Sequence, residues 1–131
     1  MKATIYTDGA CLGNPGPMGL GIHIKRADGE VVNKSIPYGH GTNNVAEYSA
    51  LVKALEIARE QGITEVDAYL DSNLVVQQIK RNWRVKDASL RELAQAVWAL
   101  ASLFESFSIS HVPREENTVA DALSKRAAER V

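Results

Sequence analysis

The chain has 131 residues, 45% hydrophobic and 24% charged, with 15 Lys+Arg against 16 Asp+Glu. That is the size and apolar content of one domain, residues 1–131, and a net charge of -1 argues against an indiscriminate nucleic-acid binder. No apolar run approaches the roughly 18 residues of a membrane span, Lys2–Ile5 begins directly as a strand, and the single cysteine, Cys11, excludes an internal disulfide and fits a reducing, cytoplasmic setting.

Lys2–Thr7 is an extended run that closes at Asp8-Gly9. A turn-rich stretch, Cys11–Gly19, follows, and then two strand-like runs, Leu20–Lys25 and Val31–Ile36. Ala27-Asp28-Gly29-Glu30 joins them, and Asp-Gly is a strong hairpin signal, so the first three strands form an antiparallel meander. Thr42-Asn43-Asn44 supplies capping side chains for a helix to about Gln61, with Gly62 as terminator. Val45, Tyr48, Val52, Leu55, Ile57 and Ala58 recur along it at helical spacing. A strand, Val66–Leu70, comes next, then a short helix from Ser72 to about Lys80. Ser89-Leu90-Arg91-Glu92 has the form of a capping box and opens a helix to about Phe104. Phe107–His111 is a fifth strand, and Asn117 caps a last helix. The order βββαβααβα predicts an α/β fold, a mixed sheet with helices on its faces.

Four carboxylates, Asp8, Glu47, Asp71 and Asp121, sit where elements begin or end. Singly, each has an ordinary structural reading. Asp8 suits a turn before Gly9, Glu47 suits a capping box begun by Asn44, Asp71 suits the cap of the Ser72 helix, and Asp121 suits a helix N-terminus. Jointly those readings are weaker. Glu47 shares a stripe with Leu51, Ala54 and Ala58, whereas a capping glutamate normally faces water. Asp8 and Asp71 would end neighbouring parallel strands at their carboxyl edge, where open α/β sheets place their sites. Like charges brought together need compensation, and divalent cations with a preference for oxygen ligands supply it.

Thr7-Asp8-Gly9-Ala10-Cys11-Leu12-Gly13-Asn14-Pro15-Gly16-Pro17 resembles the opening motif of type 1 ribonuclease H. Thr42–Glu47 is similar to that family's second motif, Leu70–Asn73 to the third, and Val112–Leu123 to the fourth. The motifs come in the family's order and span nearly the whole chain. The resemblance implies a five-stranded mixed sheet of order 3-2-1-4-5 with helices on both faces. It implies that Asp8, Glu47, Asp71 and Asp121 hold metal: two magnesium ions with substrate, or manganese in their place. The implied reaction is hydrolysis of the RNA strand of an RNA–DNA hybrid, leaving 5′-phosphate and 3′-hydroxyl ends. The better-known bacterial enzymes carry an extra basic helix and loop that is missing here, where only Asn82–Ala88 joins the two middle helices. The chain thus resembles a compact branch of the family, in which the basic run Lys80–Arg91, five basic residues and one acid, can partly substitute.

By the same resemblance Asn14, Asn44 and Asn73, with backbone groups at Gly9 and Cys11, contact the RNA strand. Amides both donate and accept, which suits 2′-hydroxyls. Thr42 resembles a position that holds a DNA phosphate, and Trp83, amid basic residues, can pack on the DNA sugar backbone. Trp98 belongs with the core. Arg114, in the Pro-bounded segment before Asp121, is expected to act in the catalytic loop, and His111 to be structural. No obligate protein partner is expected, and the chain is expected to be a monomer. Two other functions compete: a non-catalytic hybrid-binding module on the same scaffold, and a DNA-directed nuclease or integrase-like relative. The four acids speak against the first and the asparagines beside them against the second.

Overall fold

The computed structural model describes residues 1–131. The element order is β1 (Lys2–Cys11), β2 (Gly16–Arg26), β3 (Val31–Gly41), α1 (Asn43–Glu60), β4 (Glu65–Leu70), α2 (Asn73–Ile79), α3 (Ala88–Ala101), β5 (Ser106–His111), a 3-10 turn (Arg114–Glu116) and α4 (Thr118–Glu129). The five strands form one sheet of order β3-β2-β1-β4-β5. β1–β2 and β2–β3 pair antiparallel, while β1–β4 and β4–β5 pair parallel. This is the mixed sheet expected from the sequence. No helix is long and apolar enough to cross a membrane.

Strand alternation sorts the side chains onto two faces. Ala3, Ile5, Val66, Ala68 and Leu70 are buried on the face that meets α1. β2 is buried on both faces from Met18 to His23, because α1 covers one and α4 the other. The α4 side depends on two glycines. A Cβ at Gly19 or Gly21 would run into the α4 backbone at Ser124 and Ala128, or at Ala120 and Ser124. The helix therefore lies directly on the strand. The main core joins 22 buried residues of β1, β2, α1, β4, α2, α3, β5 and the segments between them, among the latter Ile63, Val85 and Phe104. Tyr48, Leu51 and Leu55 of α1 have no exposed surface, each large side chain contributing roughly 1.5–3 kcal/mol by burial.

Three local expectations change. The turn-rich stretch before Leu20 is mostly sheet: β1 runs on to Cys11, β2 starts at Gly16, and only the hairpin tip between them is irregular. The α3 cap is Asp87, whose Oδ1 accepts from Leu90 N–H at 3.1 Å, and Ser89 hydrogen-bonds to that cap rather than serving as it. Asn117 stands at the cap position of α4 without a side-chain cap bond. Its Nδ2 instead donates to the Thr7 carbonyl at 2.9 Å, 110 residues away. Gly62, with φ +73°, ends α1 as expected, and Ile63 N–H reaches back to the Ala58 carbonyl.

Candidate active site

Strand register brings the first two acids together. Thr7 of β1 pairs with Leu70 of β4 as the last pair of their parallel ladder, so Asp8, still within β1, and Asp71, just past β4, come side by side. Glu47 arrives from the first turns of α1. Gly9 allows that approach, because a Cβ there would strike the α1 backbone at Ala46 and Glu47. Asp121 comes from the first turn of α4, which Gly19 and Gly21 seat on the sheet.

Carboxylate oxygens of Asp8, Glu47 and Asp71 all lie within 4.8 Å of one another. Asp121 is not of that close group but lines the same cleft, about 400 Å³, with Asp8, Glu47, Cys11, Asn44 and Arg114. Asp121 does sit in the first turn of α4, but the ordinary structural readings of Glu47 and Asp71 fail in detail. Thr42 caps α1, its Oγ1 accepting from Val45 N–H at 3.3 Å, so Glu47 completes no capping box with Asn44. Ser72, not Asp71, caps α2.

Burial raises the proton affinity of this cluster. Asp8 is 5% exposed, and burial, reinforced by the Asp71 and Asp121 charges against a bond from Glu47, pushes its carboxyl up to about 7. Glu47 is only half-buried as a residue, yet its Oε2 is enclosed and has no hydrogen-bond partner. Burial and the Asp8 charge push it well above the usual carboxylate range. Burial also raises Asp71, against the pull of Arg114 and Asn117. At Asp121 partial burial is outweighed by Lys125, Asp8 and Arg114, which hold that carboxyl below its ordinary value. A buried oxygen without a partner among like charges is what an oxygen-seeking divalent cation would satisfy, so the residues fit such an ion.

The other expected site residues divide into groups. Cys11 and Asn44 line the cleft. Cys11 Sγ donates to the Gly41 carbonyl at 3.2 Å, tying β1 to the end of β3. Gly9 is buried, and its N–H donates to Asp8 Oδ1 at 3.0 Å. Asn14 is exposed and accepts from Asn43 N–H at 3.1 Å, linking the hairpin tip to α1. Asn73 opens α2 beside Asp71, its Oδ1 accepting from Gln77. Arg114 lies within electrostatic reach of both Asp71 and Asp121. Trp83 is apart from the cleft, 47% exposed on a groove with Arg81, Arg84, Arg91 and Trp98. Trp98 packs partly on the core, donates to the Ile79 carbonyl at 3.0 Å and carries the Arg81 guanidinium 3.8 Å over its ring. His111 is exposed at the end of β5, so it has no buried structural task, and it too lies within electrostatic reach of Asp71.

Two residues escaped the sequence reading. Asn117, 1% exposed, binds β1 through Thr7 and lies close enough to Asp71 to lower its proton affinity. Its position at a helix start concealed a tertiary partner. Lys125 pairs with Asp121 at 3.0 Å, and the i, i+4 spacing was the available signal.

A 3-2-1-4-5 sheet that gathers acids where its central parallel ladder ends and from two flanking helices is the ribonuclease H class of fold. A family model described as "Reverse transcriptase-like" matches residues 6–127. Ribonuclease HI of Halobacterium salinarum is 41% identical over 123 residues, 93% of this chain and 62% of that protein. The crystal structure of RNase H1 from that archaeon superposes with a TM-score of 0.95 over 100% of both chains, at 38% identity. LC11-RNase H1 in complex with an RNA/DNA hybrid gives a TM-score of 0.91 at 36% identity, over 98% of this chain and 97% of that one. Bifunctional protein Rv2228c of Mycobacterium tuberculosis is 42% identical over 129 residues, 97% of this chain and 35% of that protein. The chain thus spans about a third of the mycobacterial relative. It belongs to the type 1 ribonuclease H family.

Proposed function

We propose that this chain is a divalent-cation-dependent endonuclease that hydrolyses the RNA strand of RNA–DNA hybrids, leaving 5′-phosphate and 3′-hydroxyl ends. The observation that carries the reading is the meeting of Asp8, Glu47 and Asp71 within 4.8 Å, with Glu47 Oε2 enclosed and unpartnered. A pure binding module has no use for acids whose burial and mutual repulsion cost stability. Support also comes from LC11-RNase H1, which shares the fold and is in complex with an RNA/DNA hybrid.

Asp8, Glu47, Asp71 and Asp121 would hold the cations, magnesium being our assignment, with two ions in the presence of substrate and manganese able to substitute. The chemistry that bound cations supply at such a site is activation of water and neutralisation of charge on a departing oxygen. The protein's own part is to fix the donors. Asp8 rides on a hydrogen-bonded strand and Asp71 follows directly on another, while Glu47 and Asp121 ride on helices pressed against them. Arg114 is always charged and cannot act as a general base; it holds the scissile phosphate or competes for an acidic donor during product release. Asn14, Asn44 and Asn73, with the backbone at Gly9 and Cys11, read the RNA 2′-hydroxyls. Thr42 and Trp83 take the DNA strand, through a phosphate and the sugar backbone respectively.

A labelled hybrid, a DNA duplex and an RNA duplex of one sequence, each with magnesium and with chelator, test the reading. Cleavage of the hybrid only, with magnesium only, is the expected result. Asp71→Asn should remain folded and inactive. Asn44→Ala with Asn73→Ala should weaken hybrid binding by about 1 kcal/mol per lost bond while sparing cation binding. Cleavage in chelator, or normal turnover by Asp71→Asn, sinks the proposal.

A further inference from the structure

Asp121 differs from the other three acids in what it faces. The three share mutual distances within 4.8 Å without it. It reaches Asp8 alone of the three through a side-chain contact, and its Oδ2 meets Lys125 Nζ at 3.0 Å, one turn further along α4. Lys125 lines the acid cleft itself, together with Asp8, Glu47 and Arg114. The pair is open to water, 58% exposed at the lysine and 24% at the aspartate. Ion pairs of that exposure add little to stability, so the fold does not depend on this one. They still bias where a carboxylate points. The cleft therefore holds a compact three-acid group and a fourth acid already occupied by a monovalent cation of the protein's own.

We infer that Lys125 is a positioning residue that acts as a removable counter-cation for Asp121, and so sets the affinity of the divalent ion that needs Asp121. The inference rests on the reading of the acid cluster as a cation site. An ion held by Asp8, Glu47 and Asp71 can bind without disturbing the Asp121–Lys125 pair. An ion that draws on Asp121 must displace the lysine and accept its positive charge nearby. The two binding steps are thereby separated: the first is set by the three buried acids, the second is weakened by Lys125.

Manganese binding to the whole chain, followed without nucleic acid by the paramagnetic resonance of free Mn²⁺, tests this. The parent should bind one ion tightly and a second weakly. Lys125→Met should tighten the weaker step about two- to fivefold, the range to which an exposed ion pair converts, and leave the first within twofold. Lys125→Arg keeps the pair and should match the parent. Arg126→Gln makes the same charge change one residue along α4, at an exposed position outside the cleft lining, and should also match. Melting curves establish that each variant is folded, as expected for exposed positions. An unchanged weaker step in Lys125→Met, or equal tightening in Arg126→Gln, overturns the inference. A parent that binds a single ion overturns it while leaving the three-acid site standing. A parent that binds none, or Asp71→Asn binding like the parent, overturns the cation reading itself.

Discussion

Burial pushes the Asp8 carboxyl up to about 7 from an ordinary 3.8, and this predicts a pH signature of stability. Between those values the folded chain keeps a proton that the unfolded chain has released. The stabilisation is complete below the unfolded value and lost as pH rises through the folded one. Glu47, also raised, acts in the same sense. In chelator, Asp8→Asn should therefore melt a few degrees above the parent at pH 8, with the gap narrowing as pH falls through 7 and closing only below the ordinary value of 3.8. Parallel melting curves across that range would count against it. Magnesium should raise the parent's melting temperature at pH 8 and leave that of Asp8→Asn nearly unchanged. Arg114 and His111 can be separated in the same way. Arg114 bears on Asp71 and Asp121, and its own loop places it in the cleft lining. Arg114→Ala should lower turnover at least tenfold with little change in melting temperature. His111 is exposed, so His111→Ala should be thermally silent. Steady-state kinetics beside melting curves decide, and a large catalytic loss confined to His111→Ala would reverse the two roles.

The site is assembled from four elements, and their packing is where stability and function meet. β1 and β4 are locked by parallel pairing from Lys2–Glu65 to Thr7–Leu70. α4 is free to sit on β2 only because positions 19 and 21 are glycine. Gly21→Ala should push α4 outward at a cost of about 1–3 kcal/mol, the usual range for overpacking, and should weaken cation binding because Asp121 moves with the helix. A melting temperature equal to the parent's would show that α4 can yield without cost. Asn117→Ala should cost about 1–2 kcal/mol by freeing the buried Thr7 carbonyl one residue before Asp8. The acids were legible in the sequence because strand ends and helix starts are marked by local signals, and four motifs in order resemble one family. The hairpin, the α1 terminator and the element order were legible for the same local reasons. What the sequence concealed was nonlocal. Asn117 looks like a cap, yet its partner is 110 residues away. The Ser89 box is locally well formed, yet Asp87 takes the cap. Gly19 and Gly21 looked like turn and strand residues, and only the helix lying on them shows why they are small.

For the molecule as a whole, a net charge of -1 has to be reconciled with the polyanionic substrate proposed above. The cations of the run Lys80–Arg91 are unequal in this respect. Arg91 spends its guanidinium on the Val85 and Lys86 carbonyls, and Arg81 is stacked on Trp98. Arg84 and Lys86 are exposed, and neither side chain has an ion-pair or hydrogen-bond partner within the chain. Trp83 stands between Arg81 and Arg84 on the same groove of about 670 Å³. Binding of a hybrid across this surface would release counterions, and each phosphate contact adds roughly one to the slope of log affinity against log salt. With a near-neutral chain that slope should be shallow, and Arg84 and Lys86 should account for much of it. Arg84→Gln with Lys86→Gln should weaken hybrid binding at low salt and reduce the slope by up to about two. The loss should be the same for hybrids of different sequence, since phosphate contacts carry no sequence information. Arg91→Gln should instead lower the melting temperature, because it frees two loop carbonyls and withdraws a guanidinium already engaged. Equilibrium binding without divalent cation, in chelator, measured from low to physiological salt, separates these outcomes. An unchanged slope in the double variant would place the duplex elsewhere on the surface and detach Trp83 from the binding path.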